Sequence, residues 1–111
     1  MDNNALYERI TQLLAAPREG AGAPPLAHLE ETLTAGYARA LALEAERWRI
    51  ERRIGEIVAR LRHDRSEVRT DEIASLAAQL SDADGELSRL RGLLVTLRTR
   101  ASDLRLAEAN A

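Results

Sequence analysis

The chain has 111 residues, a formal net charge of −2 and no cysteine. A chain of this length forms one domain or less, and without cysteine it has no disulfide, no thiol nucleophile and no cysteine-based metal site. All 16 basic residues are arginine and they are balanced by 18 acidic residues, so we expect no nucleic-acid partner, which would require a positively charged surface.

The first predicted element is a short amphipathic helix within residues 1–16, capped by Asn3 or Asn4 and ended by Pro17. A helix of about 12 residues is marginal in water, so it must dock on a surface of the same chain or of a partner. Folded back along the next helix, it would cover Tyr37. The apolar residues that we expect to make this protein contact are Leu6, Ile10, Leu13 and Leu14.

Residues 17–25 are predicted to be a linker. This segment contains three prolines and two glycines in nine residues, and both residue types interrupt regular structure. Either Pro24 or Pro25 suits the first turn of the following helix.

Residues 26–108 are predicted to form a long antiparallel two-helix coiled-coil hairpin, which makes the fold all-α. Apolar residues occupy most a and d positions of a heptad repeat from Leu26 to Leu61 and all of them from Ile73 onward. Leu61 and Ile73 both occupy position a, but they are twelve residues apart, which is not a multiple of seven. One continuous helix would turn the second apolar stripe away from the first, so we place a turn near residues 63–70.

The charge pattern favours the antiparallel pairing of the two long helices. When position a of one helix is placed opposite position d of the other, residues 47–65 face residues 72–90. The first segment contains seven arginines and three acids, and the second contains four acids and one arginine. Opposite charges therefore meet, whereas a parallel pair of long helices would bring each block against its own copy. In this register Gly36 lies opposite Ala101.

Arg47 interrupts the apolar seam at position a, where it faces Leu90 in this register. A charged residue at such a position costs stability and fixes the pairing of the helices, with its guanidinium reaching an acid such as Glu51 or Glu86. We therefore predict that Arg47 specifies the register. The alternative is a ligand-binding or catalytic role, which would require a pocket lined by Arg47 and by arginines of a second protomer.

The second predicted helix carries a further apolar stripe beside its seam. Because the seam already buries the other face, this stripe indicates a contact surface for another protein. The alternative is that Trp48 lies flat over a neighbouring arginine such as Arg52. The stripe consists of Tyr37, Leu41, Trp48 and Val58.

The third predicted helix has small residues along its back, with Gly85 and Gly92 seven residues apart. Each glycine in an exposed helix costs about 1 kcal/mol relative to alanine, and a groove that receives another helix would offset this cost. Dimerisation through such a groove would form a four-helix bundle. The alternative is that small residues simply tolerate a solvent-facing surface.

Catalytic and metal-binding motifs are absent from the sequence: it has no phosphate loop, nucleophile elbow or zinc-ligand spacing. The two histidines, His28 and His63, lie at opposite ends of one predicted helix and cannot share a metal. We therefore expect no enzyme activity, cofactor, metal or small-molecule substrate. The polar N-terminus and the absence of a long apolar run predict a cytoplasmic protein without a membrane segment.

These features predict a non-enzymatic protein-protein interaction module, a small coiled-coil adaptor or scaffold component. Its partner would be another protein or a second copy of the chain, in a homodimer or larger homo-oligomer. The alternative is an inhibitor, similar in action to an antitoxin, that occludes a partner through the N-terminal helix.

Overall fold

The computed structural model describes residues 2–63 and 70–111. It contains α1 (Asn3–Ala15), α2 (Leu26–His63) and α3 (Thr70–Ala109), with no strand in the described residues. The long helices α2 and α3 pack against each other, which confirms the predicted all-α helical hairpin. The turn predicted near residues 63–70 falls between His63, which ends α2, and Thr70, which begins α3, and residues 64–69 lie outside the described residues.

The N-cap of α1 is Asp2, so the predicted caps Asn3 and Asn4 are wrong. The Asp2 carboxylate accepts a hydrogen bond of 2.8 Å from the backbone N–H of Ala5, and Asp2 has the extended backbone that a capping residue adopts. Asn3 and Asn4 already belong to the first turn. At the other end, Ala16 is extended, as expected for the residue before Pro17.

The chain divides into two compact units, each of which has its own buried residues. Unit 1 comprises Met1–Ala40 and Arg89–Ala111, and unit 2 comprises Leu41–Ser88. Unit 1 therefore contains α1 together with the first part of α2 and the last part of α3. Its buried residues are Leu6, Ile10, Leu13, Leu29, Thr32, Leu33, Ala40, Leu90, Leu94, Leu97 and Ala101, and those of unit 2 are Leu43, Ile50, Ile57, Ala83 and Leu87.

The register of the helix pair in unit 1 differs from the prediction by one heptad. Gly36 lies against Leu94, and a Cβ atom added at Gly36 would collide with Cδ2 of this leucine. The predicted neighbour, Ala101, lies seven residues further along α3. A shift of seven residues keeps a opposite d, so the apolar pattern cannot distinguish the two registers. Side-chain volume distinguishes them, because Leu94 fills the space beside Gly36, whereas alanine at that place would leave a void.

Ion pairs join α2 to α3 within unit 2. Arg47 lies 3.2 Å from Asp84 and 3.7 Å from Glu51, so its interhelical partner is Asp84 and its partner within the helix is the predicted Glu51. Both contacts are partly exposed to solvent, which limits their contribution to stability. Arg47 is thus accommodated at the seam by directing its guanidinium outward to these carboxylates.

Arg53 and Glu72 make the shortest of these pairs, with 2.7 Å between Nη2 and Oε1. The hydrogen bond to Glu72 and the charge of this carboxylate raise the pKa of Arg53 above its ordinary value. A raised pKa in the folded state contributes stability that is lost only as the pH rises through that value. Since arginine stays protonated at all ordinary pH values, Arg53 itself adds no pH dependence to stability there.

Candidate functional site

The apolar face of α1, a predicted protein contact, is buried within unit 1 of the same chain. Leu6, Ile10 and Leu13 are buried, with Ile10 at 0% exposure, and Leu14 is half-buried. The structure therefore places α1 against its own chain, a question that the sequence left open. A role for this face at an interface with another protein stays a prediction, and it would require α1 to leave unit 1.

Arg100 on α3 holds the C-terminal end of α1. Its guanidinium donates hydrogen bonds to the backbone carbonyl oxygens of Leu13 and Ala16, the latter at 3.2 Å. Carbonyl groups at a helix C-terminus lack partners within the helix and carry the negative end of its dipole, so a cation is favoured there. Arg100 was not predicted as a functional residue, because its partners are backbone atoms more than 80 residues away in the chain.

Further contacts define the direction of α1 in unit 1. The guanidinium carbon of Arg89 lies 5.3 Å from the centre of the Tyr7 ring, while Leu13 meets Arg100. Helix α1 therefore runs in the same direction as α3 and antiparallel to α2. Tyr37 of α2 remains 42% exposed, so α1 does not bury this side chain, and partial coverage of Tyr37 by α1 stays a prediction.

The exposed side of α2 in unit 2 carries three large apolar side chains. Leu41 is 67% exposed, Trp48 58% and Val58 40%. We call Leu41, Trp48 and Val58 the Trp48 surface. The buried residues Leu43, Ile50 and Ile57 lie on the other side of the same helix, so the Trp48 surface does not contribute to the core of unit 2.

Trp48 also contacts an arginine on its own helix. The guanidinium carbon of Arg52 lies 5.3 Å from the centre of the indole ring, and Arg52 pairs with Glu56 at 3.6 Å. This is the contact that the alternative interpretation of Trp48 describes. It does not shield the ring from water, because more than half of the residue remains exposed. The Trp48 surface is therefore apolar and is bordered by the ion pair of Arg52 and Glu56.

The outer side of α3 is smooth and faces solvent. A Cβ atom added at Gly85, in unit 2, or at Gly92, in unit 1, would meet no atom within 4 Å. Around Gly85 the neighbouring exposed residues Ala78, Ser81 and Ser88 are also small. The α3 segment 70–88 contains five acidic residues and no basic one, and two of these acids, Glu72 and Asp84, pair with Arg53 and Arg47 of α2.

Unit 1 contains an open cavity of about 560 Å³ between the linker and the end of α3, which the sequence did not predict. Its lining mixes apolar and charged side chains of both signs. In the described part of the chain, no group of three or more histidine, cysteine or acidic residues is arranged to hold a metal ion. The residues that line the cavity include Pro17, Arg18, Pro25, Arg100, Asp103 and Leu104.

Comparisons with protein-family models, curated proteins and solved structures find no match to this chain. None of the described helices combines the length and the apolar character needed to cross a membrane.

Proposed function

We propose that the chain is a non-enzymatic protein-interaction module that binds through the Trp48 surface. The observation that carries this proposal is the position of Trp48, the only tryptophan of the chain, 58% exposed beside a leucine that is 67% exposed. These side chains do not help the chain to fold, because the seam is closed by other residues of α2. Burying them against a partner would remove apolar area from water, with a gain of roughly 25 cal/mol per Å².

The residue types of the Trp48 surface support a role in binding. Tryptophan and arginine are enriched among the residues that contribute most to protein interfaces, and here Arg52 stacks on Trp48. Leu41 and Trp48 are seven residues apart on one helix, which places them on the same side, two turns from each other. This spacing suits the packing of one helix face against another helix or into a groove.

The alternative inhibitor function depends on α1 rather than on the Trp48 surface. For α1 to insert into a partner, Leu6, Ile10 and Leu13 would have to leave the core of unit 1 and the α1 carbonyl groups would have to leave Arg100. No observation favours that release. We therefore propose the adaptor or scaffold function, in which α1 stabilises the fold.

Photo-crosslinking in the cells that make the protein tests this function. A photoreactive amino acid replaces Leu41, inside the Trp48 surface, or Gln79, an exposed residue of α3 in the same unit. We expect covalent adducts from position 41 that become weaker in the Trp48→Ala background, and few from position 79. Equal labelling at both positions, or no adduct at either, would contradict the proposal.

A further inference from the structure

We infer that the partner of the Trp48 surface is a second copy of this chain, in a two-fold dimer in which α2 of each copy packs on α3 of the other. The inference rests on the proposed function and names its partner. Three properties of unit 2 support it: the shapes of its two outer helix surfaces, their charges, and their positions along the helix axis.

The two outer surfaces of unit 2 are complementary in shape. Leu41 and Trp48 protrude from α2, with more than half of each residue exposed. The outer side of α3 is flat around Gly85, where an added Cβ atom would meet no other atom within 4 Å, and its exposed neighbours Ser81 and Ser88 are small. Large side chains on one helix and small ones on the other allow two helices to approach closely.

The net charges of the two helix segments favour contact between α2 and α3. In unit 2, residues 70–88 carry five acids and no basic residue, whereas residues 41–63 carry six arginines and four acids. A dimer that packed α2 on α2 would also bring the two acidic α3 segments together, which like-charge repulsion disfavours. Packing α2 on α3 instead places Arg52, which is 65% exposed, near an acidic helix.

The position of Trp48 along the helix axis selects its contact on the second copy. The pair between Arg47 and Asp84 places Trp48 level with the α3 segment from Ser81 to Gly85 in its own chain. A two-fold axis parallel to the helices preserves that level, so in this dimer each Trp48 lies level with the Ser81 to Gly85 segment of the second copy. Each copy supplies one protruding and one flat surface, so the same contact between α2 and α3 forms twice and the dimer is closed.

Light scattering coupled to size exclusion, over a wide range of protein concentration, tests the dimer. We expect the wild-type chain to reach twice its mass of 12.3 kDa and the fluorescence of its single tryptophan to shift to shorter wavelength as it associates. Gly85→Leu adds a large side chain to the flat surface of α3, and no atom of its own chain lies within 4 Å of the new Cβ. It should weaken association by roughly tenfold or more, with the helical circular dichroism unchanged, whereas the control Gln79→Leu should associate like the wild type.

Disulfide formation tests the arrangement directly, because the chain has no cysteine of its own. Gly55 of α2 and Ala74 of α3 are both exposed in unit 2, and they lie near the same level along its axis. A mixture of Gly55→Cys chains and Ala74→Cys chains should form a mixed disulfide on oxidation, while Gly55→Cys chains alone should not. Equally fast cross-linking of Gly55→Cys chains to each other would overturn the arrangement, since α2 would then meet α2.

The two proposals fail in different ways. A wild-type chain that stays monomeric at every concentration, or a Gly85→Leu variant that associates like the wild type, overturns the dimer. If the cells nevertheless yield adducts from position 41 that contain a different protein, the interaction function stands and only the identity of the partner is wrong. If position 41 yields no adduct at all, the proposed function fails as well.

Discussion

Gly36 and Gly92 show how the surroundings of a residue decide what a substitution does. Both are helical glycines of unit 1, on α2 and α3 respectively. A Cβ atom at Gly36 would collide with the buried side chain of Leu94, whereas one at Gly92 would meet nothing within 4 Å. The same chemical change therefore has opposite structural consequences at the two positions.

We predict that Gly36→Leu lowers the free energy of unfolding by about 1–3 kcal/mol, because overpacking of a filled layer costs that amount. The control Gly92→Leu should instead raise it by up to about 1 kcal/mol, because leucine is a better helix former than glycine. Urea unfolding at one low protein concentration measures both. A Gly36→Leu variant as stable as Gly92→Leu would show that Leu94 does not occupy this space.

At the scale of the element, α1 depends on contacts that its own sequence does not contain. A helix of 13 residues is marginal in isolation. Its buried face supplies apolar packing, and Arg100 supplies hydrogen bonds to its C-terminal carbonyl groups. The docking of α1 is therefore a property of unit 1 as a whole.

We predict that Arg100→Ala increases amide hydrogen exchange throughout α1, because the carbonyl groups of Leu13 and Ala16 lose their donor. Losing hydrogen bonds to a charged group costs about 1.5–3 kcal/mol, so exchange should rise by roughly tenfold or more. Arg98→Ala, which removes an exposed arginine from the same helix, is the control and should leave the exchange of α1 unchanged. Equal exchange in the two variants would mean that packing alone holds α1.

At the scale of the whole molecule, stability and binding are assigned to different apolar residues. Ile10 is fully buried and Trp48 is mostly exposed. A residue of the first kind stabilises the fold, because its side chain leaves water when the chain folds. A residue of the second kind gains that stabilisation only when a partner covers it.

Two variants of the full chain separate these roles. We predict that Ile10→Ala lowers the free energy of unfolding by about 2–4 kcal/mol and leaves crosslinking from position 41 intact. Trp48→Ala should change the stability of the dilute chain by about 0.5 kcal/mol or less and remove most of the adduct. If folded Ile10→Ala loses the adduct instead, α1 carries the interaction, as the inhibitor alternative requires.

Heptad periodicity was sufficient to predict the fold class. The a and d positions predicted the helices, and the change of phase between Leu61 and Ile73 predicted their antiparallel return. These inferences succeed because helix formation and seam burial depend on residues a few positions apart. The same pattern fits two registers of the helix pair that differ by seven residues. It therefore predicts Ala101 opposite Gly36 as readily as Leu94, and the structure contains Leu94 there.

Some features of the candidate site could likewise be predicted from the sequence, and others could not. Sequence alone identified the apolar stripe that contains Leu41 and Trp48, because a stripe beside a complete seam has no partner within its own helix pair. Only the tertiary structure decided the register, the burial of α1 against its own chain and the bond from Arg100 to its carbonyl groups. Those features depend on side-chain volumes and on backbone atoms that come into contact although more than fifty residues separate them in the chain. A heptad pattern is unchanged by a shift of seven residues, so it contains no information about such contacts.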